Sequence, residues 1–494
     1  MATTPTASMA RLLQQSSVYA LGNLLLKASG LVLAPLYLNT ALLSQLAYGQ
    51  LVLLDATAQL LLPLLGLGLP LGLLKFATDP AQRAHQEALP FTVLSVTSML
   101  SLGVVVVSWW GAPLLNQWLG WSEGVELVRL FGIYLAAKLL SGVPLAFLRL
   151  REQTGWYTTA VLAEALLLIG GVYYFLVHQR LGLVGVLLAM VLSAGLSMVV
   201  LMGSMLRSVP RRWDRRLLAA LVRFGLPLAL SGVVLPVLHV GDRYLLNWLA
   251  TTETVAVYGW ATRLSGVLNM LLVQGFQLAF VVIGLKALGE QPTGEAFLHR
   301  QTFRHYSIWG SWMVLALSLS AYDVTALLAT DAAYLKADPL VLPLSLGYLG
   351  YGLYIIFVNV LYAAGDSRFI AWNVVAATAL NVLLNLWWIP RWGAMGAAWA
   401  TLVAYSLLAA GAAWRAQRLR PTVYPWAVLA GAVALALGLA WLGQGMLSWP
   451  TLLRLLGRSV LLVLYLPLVV ALRFYRWEEL REGWRWVRKR LPMG

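Results

Sequence analysis

Arg263 stands in the middle of NWLATTETVAVYGWATRLSGVLNMLLVQGFQLAFVVIGL (247–285), a segment with no other basic residue. A permanent charge in an apolar run is costly, and it is retained where it meets an acid from another helix or an anionic ligand. Glu253 lies ten residues earlier, about 15 Å along a helix, and is too distant to be the obvious partner. Lys27, Asp55, Lys138 and Glu164 are the other ionisable groups deep in apolar runs. Arg129, Arg223, Arg454 and Arg458 fall close enough to run ends for their long stems to reach an interface, and Asp323 also lies near an end. Two readings stand for the acids. Lys27 with Asp55, and Lys138 with Glu164, would pin neighbouring helices; alternatively Asp55, Glu164 and Asp323 would bind a small cation, Na⁺ or H⁺. Arg263 and Lys27 form a cationic pair suited to receiving an anion.

Amides surround this set. Asn269 and Gln274 follow Arg263 by roughly two and three turns, Asn359, Asn373, Asn381 and Asn385 fall in two later apolar runs, and Asn23 and Gln59 in two early ones. Such groups serve either as interhelical hydrogen-bonding glue or as partners for sugar hydroxyls. Covalent chemistry has no visible seat. There is no GxxxxGK loop, the five histidines (His85, His178, His239, His299, His305) form no HExxH or ligand-like cluster, and cysteine is absent. The largest connections run about 15 to 20 residues, too short for the catalytic domain that membrane glycosyltransferases need. No cofactor and no enzymatic activity are expected.

The elements that position these residues follow from composition. With 60% hydrophobic and 11% charged residues among 494, the chain fits no soluble class. Its apolar residues fall in long runs such as 60–74, 184–206 and 427–442, parted by short charged clusters. This is an all-α polytopic membrane protein. Spans are predicted near 14–38, 48–74, 88–110, 125–148, 156–177, 183–206, 217–240, 254–285, 304–329, 341–363, 370–389, 393–414, 424–442 and 452–473, fourteen transmembrane helices in all. The end of the seventh is soft, because HVGDRYLLNWL can extend it. No cleavable leader is expected before the first span.

Of the 35 Lys and Arg residues, 24 fall in the loops and termini of one side and 4 on the other. That bias accounts for the net charge of +16 as a topology signal and places both termini in the cytoplasm. No nucleic-acid partner is implied. The tail REGWRWVRKR reads as an amphipathic surface segment or a solvated end.

The chain repeats. AYGQLVLLDAT (47–57) resembles VYGWATRLSGV (257–267) at an offset of 210, and RLGLVGVLLAMVLSAG from Arg180 resembles RWGAMGAAWATLVAYS from Arg391 at 211. Gly182 is thereby matched with Gly393, and Gly185 with Gly396. Six spans per copy is an even number, so the copies enter the membrane in the same direction and are parallel repeats with a natural cavity between them. The organisation read is a first lobe 1–206, an Arg-rich cytoplasmic linker 207–216, a second lobe 217–414, two further helices in 415–474, and a basic cytoplasmic tail 475–494.

Three stretches, LLQQSSVYALGNLLLKASGLVLAPLYLNTALLSQLAYGQLVLLDA, GDRYLLNWLATTETVAVYGWATRLSG and VLYAAGDSRFIAWNVVAATALNVLLNLWWIPRWGAMGAAWAT, resemble the multidrug/oligosaccharidyl-lipid/polysaccharide (MOP) exporter superfamily. Within it they are most similar to the polysaccharide-biosynthesis or O-antigen (Wzx-type) flippase branch. The resemblance covers essentially the full length. It implies two six-helix lobes that open alternately in a bacterial inner membrane, moving undecaprenyl-pyrophosphate-linked oligosaccharide from the inner to the outer leaflet. It also implies Asp55, Glu164 and Asp323 as candidate acids coupling the step to a Na⁺ or H⁺ gradient, and membrane lipids and a polysaccharide polymerase and chain-length machinery as further partners. Related murein-precursor flippases use basic residues in the first and eighth spans; by span order Lys27 and Arg263 would take that role. Their basic-acidic neighbour pair is absent here, where Ala28 and Ser29 follow Lys27. The alternatives are a murein-precursor (lipid II) flippase, a drug or metabolite cation antiporter of the same superfamily, and a non-transporting scaffold of a polysaccharide synthase.

Overall fold

The computed structural model describes residues 29–79, 86–119, 121, 124–274 and 292–475. Fifteen α-helices carry the described chain: α1 Ala34–Tyr37, α2 Gln45–Leu65, α3 Leu69–Thr78, α4 Leu89–Leu119, α5 Gly124–Leu150, α6 Thr154–Val172, α7 Gly182–Ser208, α8 Arg215–Leu249, α9 Thr252–Leu268, α10 Pro292–Leu328, α11 Asp338–Ala363, α12 Ser367–Trp392, α13 Ala394–Leu419, α14 Trp426–Gln444 and α15 Thr451–Ala471. No strand occurs among the described residues. With no water in a bilayer core, every backbone polar group has to be satisfied within its own segment, which the helices accomplish.

Among the described residues, twelve helical segments are long and apolar enough to cross a membrane. Each coincides with one of the predicted spans. The first span is described only from Ser29 and the eighth only as far as Gln274, so the count of fourteen, both termini and the amphipathic tail lie partly or wholly outside the described residues. The seventh span takes its longer form, with α8 continuing to Leu249.

Local sequence sets the helix ends. Ser44 accepts from the amide of Ala47 at the start of α2, and Asp214 from those of Arg216 and Leu217 at the start of α8. The second span is broken rather than merely kinked. Pro63 lies in the last turn of α2, Leu67 and Gly68 adopt φ of 46° and 61°, and Pro70 restarts the chain as α3. π-Helical turns follow two helices, Tyr173–His178 after α6 and Asn269–Val273 after α9.

The chain forms two compact units. The first contains 1–263, 326–334 and 374–400. Here α5 packs between α4 and α7, α6 packs on α7, and α2 on α8. Leu69, Leu73, Phe76, Val93, Val143, Phe147 and Leu221 form its largest described apolar cluster. The second contains 264–325, 335–373 and 401–494, with α14 against α15 and a core of Ile308, Leu315, Leu319, Ala436, Leu439, Leu461 and Tyr465.

The glycines paired by sequence offset share backbone features. Gly182 and Gly393, paired by sequence offset, open their helices with φ of 56° and 54°. Gly49 and Gly259, the mates of the other match, mark a close crossing of α2 and α9. A Cβ on Gly49 would stand 2.1 Å from the Thr252 carbonyl, and one on Gly259 would stand 2.5 Å from Val52.

Candidate functional site

That crossing positions Arg263. The glycine contacts bring α2 and α9 together, so a residue one turn beyond Gly259 faces the residues of α2 that follow Val52. Arg263 Nη1 donates to the Gly30 carbonyl at 3.1 Å, and Nη2 lies 3.5 Å from Asp55 Oδ2. The guanidinium is also bracketed by the rings of Tyr37 and Tyr48, whose centroids are 5.6 and 5.8 Å from Cζ. Of the two outcomes open for Arg263, an acid on another helix is therefore present. The contact is long: a full charge-assisted bond measures about 2.7–2.9 Å. Both groups also keep contact with their surroundings, the Arg263 side chain 20% exposed and that of Asp55 36%. Five N–H donors in a fixed fork leave the guanidinium with capacity beyond Gly30 and Asp55.

Three tyrosines complete this site, and none was singled out from sequence. Tyr37 stacks on Tyr48 at 6.1 Å, and Tyr48 meets Tyr334 edge-on at 6.0 Å. The hydroxyls of Tyr48 and Tyr334 are buried, and neither has a hydrogen-bond partner among the described residues. The unpartnered Tyr48 hydroxyl beside the cation makes the surroundings of Arg263 polar beyond what its own pairing requires, and Tyr334 packs behind Tyr48.

The other predicted residues separate into distinct groups. Lys27 and Asn23 lie outside the described residues. Asp55, expected to face Lys27, has Arg263 as its described ion-pair partner. Lys138 and Glu164 pair as expected, at 2.8 Å between α5 and α6. Asp323 is gripped from α15 by both Arg454 and Arg458, each at 2.7 Å.

The two arginines correct the sequence reading. They do not snorkel to an interface: they are 8% and 6% exposed, and their remaining donors go to the carbonyls of Leu319, Gly443, Leu447 and Trp449. Packing of α10, α14 and α15 around them turns a pair near a span end into a buried network.

Among the amides, Asn269 is half-buried at the start of the π-helical turn after α9, and Gln274 half-buried just past it. Asn359 is buried and donates to its own helix at Ile355. Asn373 donates across to Leu408, an interhelical tie of the kind expected for membrane amides. Asn381 and Asn385 are buried one turn apart on α12. Asn385 Nδ2 donates to both oxygens of Asn381, while Asn381 Nδ2 and Asn385 Oδ1 have no partner among the described residues. Arg263, Asn381 and Asn385 belong to the first unit; Asn269, Gln274 and Asn359 belong to the second. No group of three or more His, Asp or Glu placed to hold a metal occurs among the described residues.

Comparison with known proteins bears on what such a site is for. Residues 12–281 match the family described as polysaccharide biosynthesis protein. None of the curated proteins matches the chain in sequence. Among solved structures, the lipid II flippase MurJ in an inward closed conformation aligns with a TM-score of 0.74 at 12% identity, over 90% of this chain and 97% of that one. A multidrug resistance MATE family transporter of the MOP superfamily, inward-facing, aligns at 0.64 with 17% identity, over 82% of this chain and 96% of that one. A MOP superfamily transporter from Pyrococcus furiosus aligns at 0.63 with 15% identity, over 85% and 99%. At these identities the likenesses establish the fold.

Proposed function

We propose that this chain, which belongs to the polysaccharide biosynthesis protein family of the MOP exporter superfamily, is a flippase for undecaprenyl-pyrophosphate-linked oligosaccharide. Family, fold and apolar helices make it a multi-pass transporter of the inner membrane. The finer reading, a lipid-linked O-antigen or exopolysaccharide unit carried outward by alternating exposure of lobes 1–206 and 217–414, is our inference.

The observation that carries it is the setting of Arg263. A deep guanidinium held between two tyrosine rings, with one long contact to a carboxylate, is a cation whose partner can be exchanged. A diphosphate brings more charge and more acceptor oxygens than Asp55 and takes up the unused donors of the fork. Tyr48 supplies a hydroxyl to the same neighbourhood. Lys27 is proposed as the second cation, and Asn269, Gln274, Asn359, Asn381 and Asn385 as the groups that meet sugar hydroxyls. Lys138 with Glu164, and Asp323 with its two arginines, are proposed as helix ties. A drug or metabolite cation antiporter would need an acid free of any cation, which suits Asp55 poorly while Arg263 faces it.

Proteoliposomes loaded with fluorescent undecaprenyl-pyrophosphate oligosaccharide provide the test. The wild-type chain is expected to move the lipid between leaflets without any partner protein, and Arg263→Ala to abolish movement while inserting normally. Full transport by a well-inserted Arg263→Ala protein, or efflux of cationic dyes with no glycolipid movement, overturns the reading.

A further inference from the structure

In the second unit, α11, α13 and α14 enclose an apolar groove. One cavity of about 620 Å³ and a second of about 500 Å³ share Gly350, Leu353, Ser406, Trp426 and Leu429, so they are parts of one trough. Small residues, Gly350 with Ala409, Ala410 and Ala413, leave the space that larger side chains would fill. Along α11 the trough runs from Leu346 to Phe357. Eleven residues of helix rise make about 16 Å, close to the depth of one leaflet, half of a hydrocarbon core about 30 Å thick.

The trough is apolar along its length and cationic at one end. That end is marked by aromatic side chains, with Phe357 against Tyr424 and Trp426 at 5.1 and 5.9 Å, as at a membrane–water interface. Three polar side chains reach the trough from its walls, Ser406, Gln417 and Arg418. Gln417 is already spent on the backbone of Thr422, accepting from its amide and donating to its carbonyl. Neighbouring Arg415 is neutralised by Asp366 at 2.6 Å. Arg418 has no ion pair or hydrogen bond among the described residues; it lies on the Trp414 ring at 4.2 Å, exposed. The charge bias of the loops puts this end on the cytoplasmic side.

We infer that the trough holds an anionic glycerophospholipid of the cytoplasmic leaflet, one acyl chain along α11 and α13 and its phosphate on Arg418. Basic pockets between membrane helices on the cytoplasmic side select anionic head groups. The length argues for an ordinary acyl chain: a polyprenyl tail long enough to anchor an oligosaccharide far exceeds a one-leaflet trough. A single unpaired arginine likewise suits a monoanionic phosphodiester. The site belongs to one unit and does not depend on which cargo the chain moves.

Native mass spectrometry of the full chain in detergent, titrated with phosphatidylglycerol or with phosphatidylcholine of the same acyl composition, tests this. Phosphatidylglycerol is expected to be retained in preference. Arg418→Ala should weaken its retention about tenfold, the scale of one lost charge-assisted contact, and bring it level with phosphatidylcholine. Ala410→Phe, which fills the trough from an exposed position, should displace both lipids. Arg418→Lys should recover part of the preference and show that the Ala variant is folded. Equal retention of the two lipids by the wild-type chain, unchanged retention in Arg418→Ala and Ala410→Phe, or displacement of phosphatidylglycerol by undecaprenyl phosphate in an Arg418-dependent manner would each overturn the assignment.

Discussion

Arg263 Nη2 and Asp55 Oδ2 stand 3.5 Å apart, far enough that neither satisfies the other and close enough that neither is without a counter-charge. The separation gives Asp55 the character of a resident stand-in for an anionic ligand. Exposed and loosely held ion pairs contribute about 0.5–1 kcal/mol, so removing the stand-in should release about that much to an incoming diphosphate. Asp55→Asn is therefore expected to tighten binding of a soluble pyrophosphate-bearing glycolipid analogue about two- to fivefold, and to slow release in the same proportion. Titration of purified wild-type and variant protein reads this directly. Weaker binding by the variant would mean that Asp55 orients Arg263 rather than competing with its ligand.

Lys138 and Glu164 present the opposite arrangement, a 2.8 Å pair with Glu164 almost fully buried. Lys138→Met strands a carboxylate between α5 and α6. Breaking a buried pair from one side costs about 3–5 kcal/mol, and partial exposure of Lys138 places this one at the low end. The double variant Lys138→Met with Glu164→Gln should recover most of the loss, because neither charge is then buried alone. Thermal unfolding in detergent across the four proteins of the cycle measures the coupling. Additive losses would show that the pair contributes no interaction of its own.

The spans were legible because a bilayer admits only long apolar helices, so run length alone located them. Lys138 with Glu164 was legible as one of two candidate ties, because depth and consecutive spans left few partners. The partner of Arg263 was not. It depends on how α2 and α9 are rotated about their axes where Gly49 and Gly259 let them touch, and no periodicity encodes that rotation. Arg454 and Arg458 misled for a related reason. Distance to a span end does not measure access to water, because α10 and α14 cover them and Asp323 completes their bonding. Tyr37, Tyr48 and Tyr334 gave no signal among 20 tyrosines, since each gains its role from the others.

Gly182 and Gly393 offer a test of the repeat at the level of backbone energy. Both have left-handed φ, and neither would place a Cβ within 4 Å of another group. An alanine at either position pays only the backbone penalty, about 1–2 kcal/mol. The two single Gly→Ala variants should therefore lose similar stability in chemical unfolding. Gly259→Ala should lose more, since its Cβ meets Val52 at 2.5 Å and forces α2 away from α9. A negligible cost at Gly393 with a full cost at Gly182 would separate the two copies.

Asp323 bonds both buried guanidiniums of α15, and its removal is expected to loosen the second unit. Asp323→Asn leaves Arg454 and Arg458, among the described residues, with hydrogen bonds to backbone carbonyls alone, and with two positive charges a turn apart on α15. One orphaned buried charge costs about 3–5 kcal/mol, and a second adds repulsion to it. The damage should stay local, because α14 and α15 reach α10 through this network and the apolar cluster around Leu319, Leu439 and Leu461. Hydrogen exchange is expected to rise across α14 and α15 while α4 to α7 stay protected. Replacing all three residues together, Asp323→Asn with Arg454→Leu and Arg458→Leu, should restore most of the protection, since well-packed apolar groups substitute for buried ion pairs at little cost. Exchange that stays at the wild-type rate in Asp323→Asn would show that apolar packing alone holds the last two helices in place.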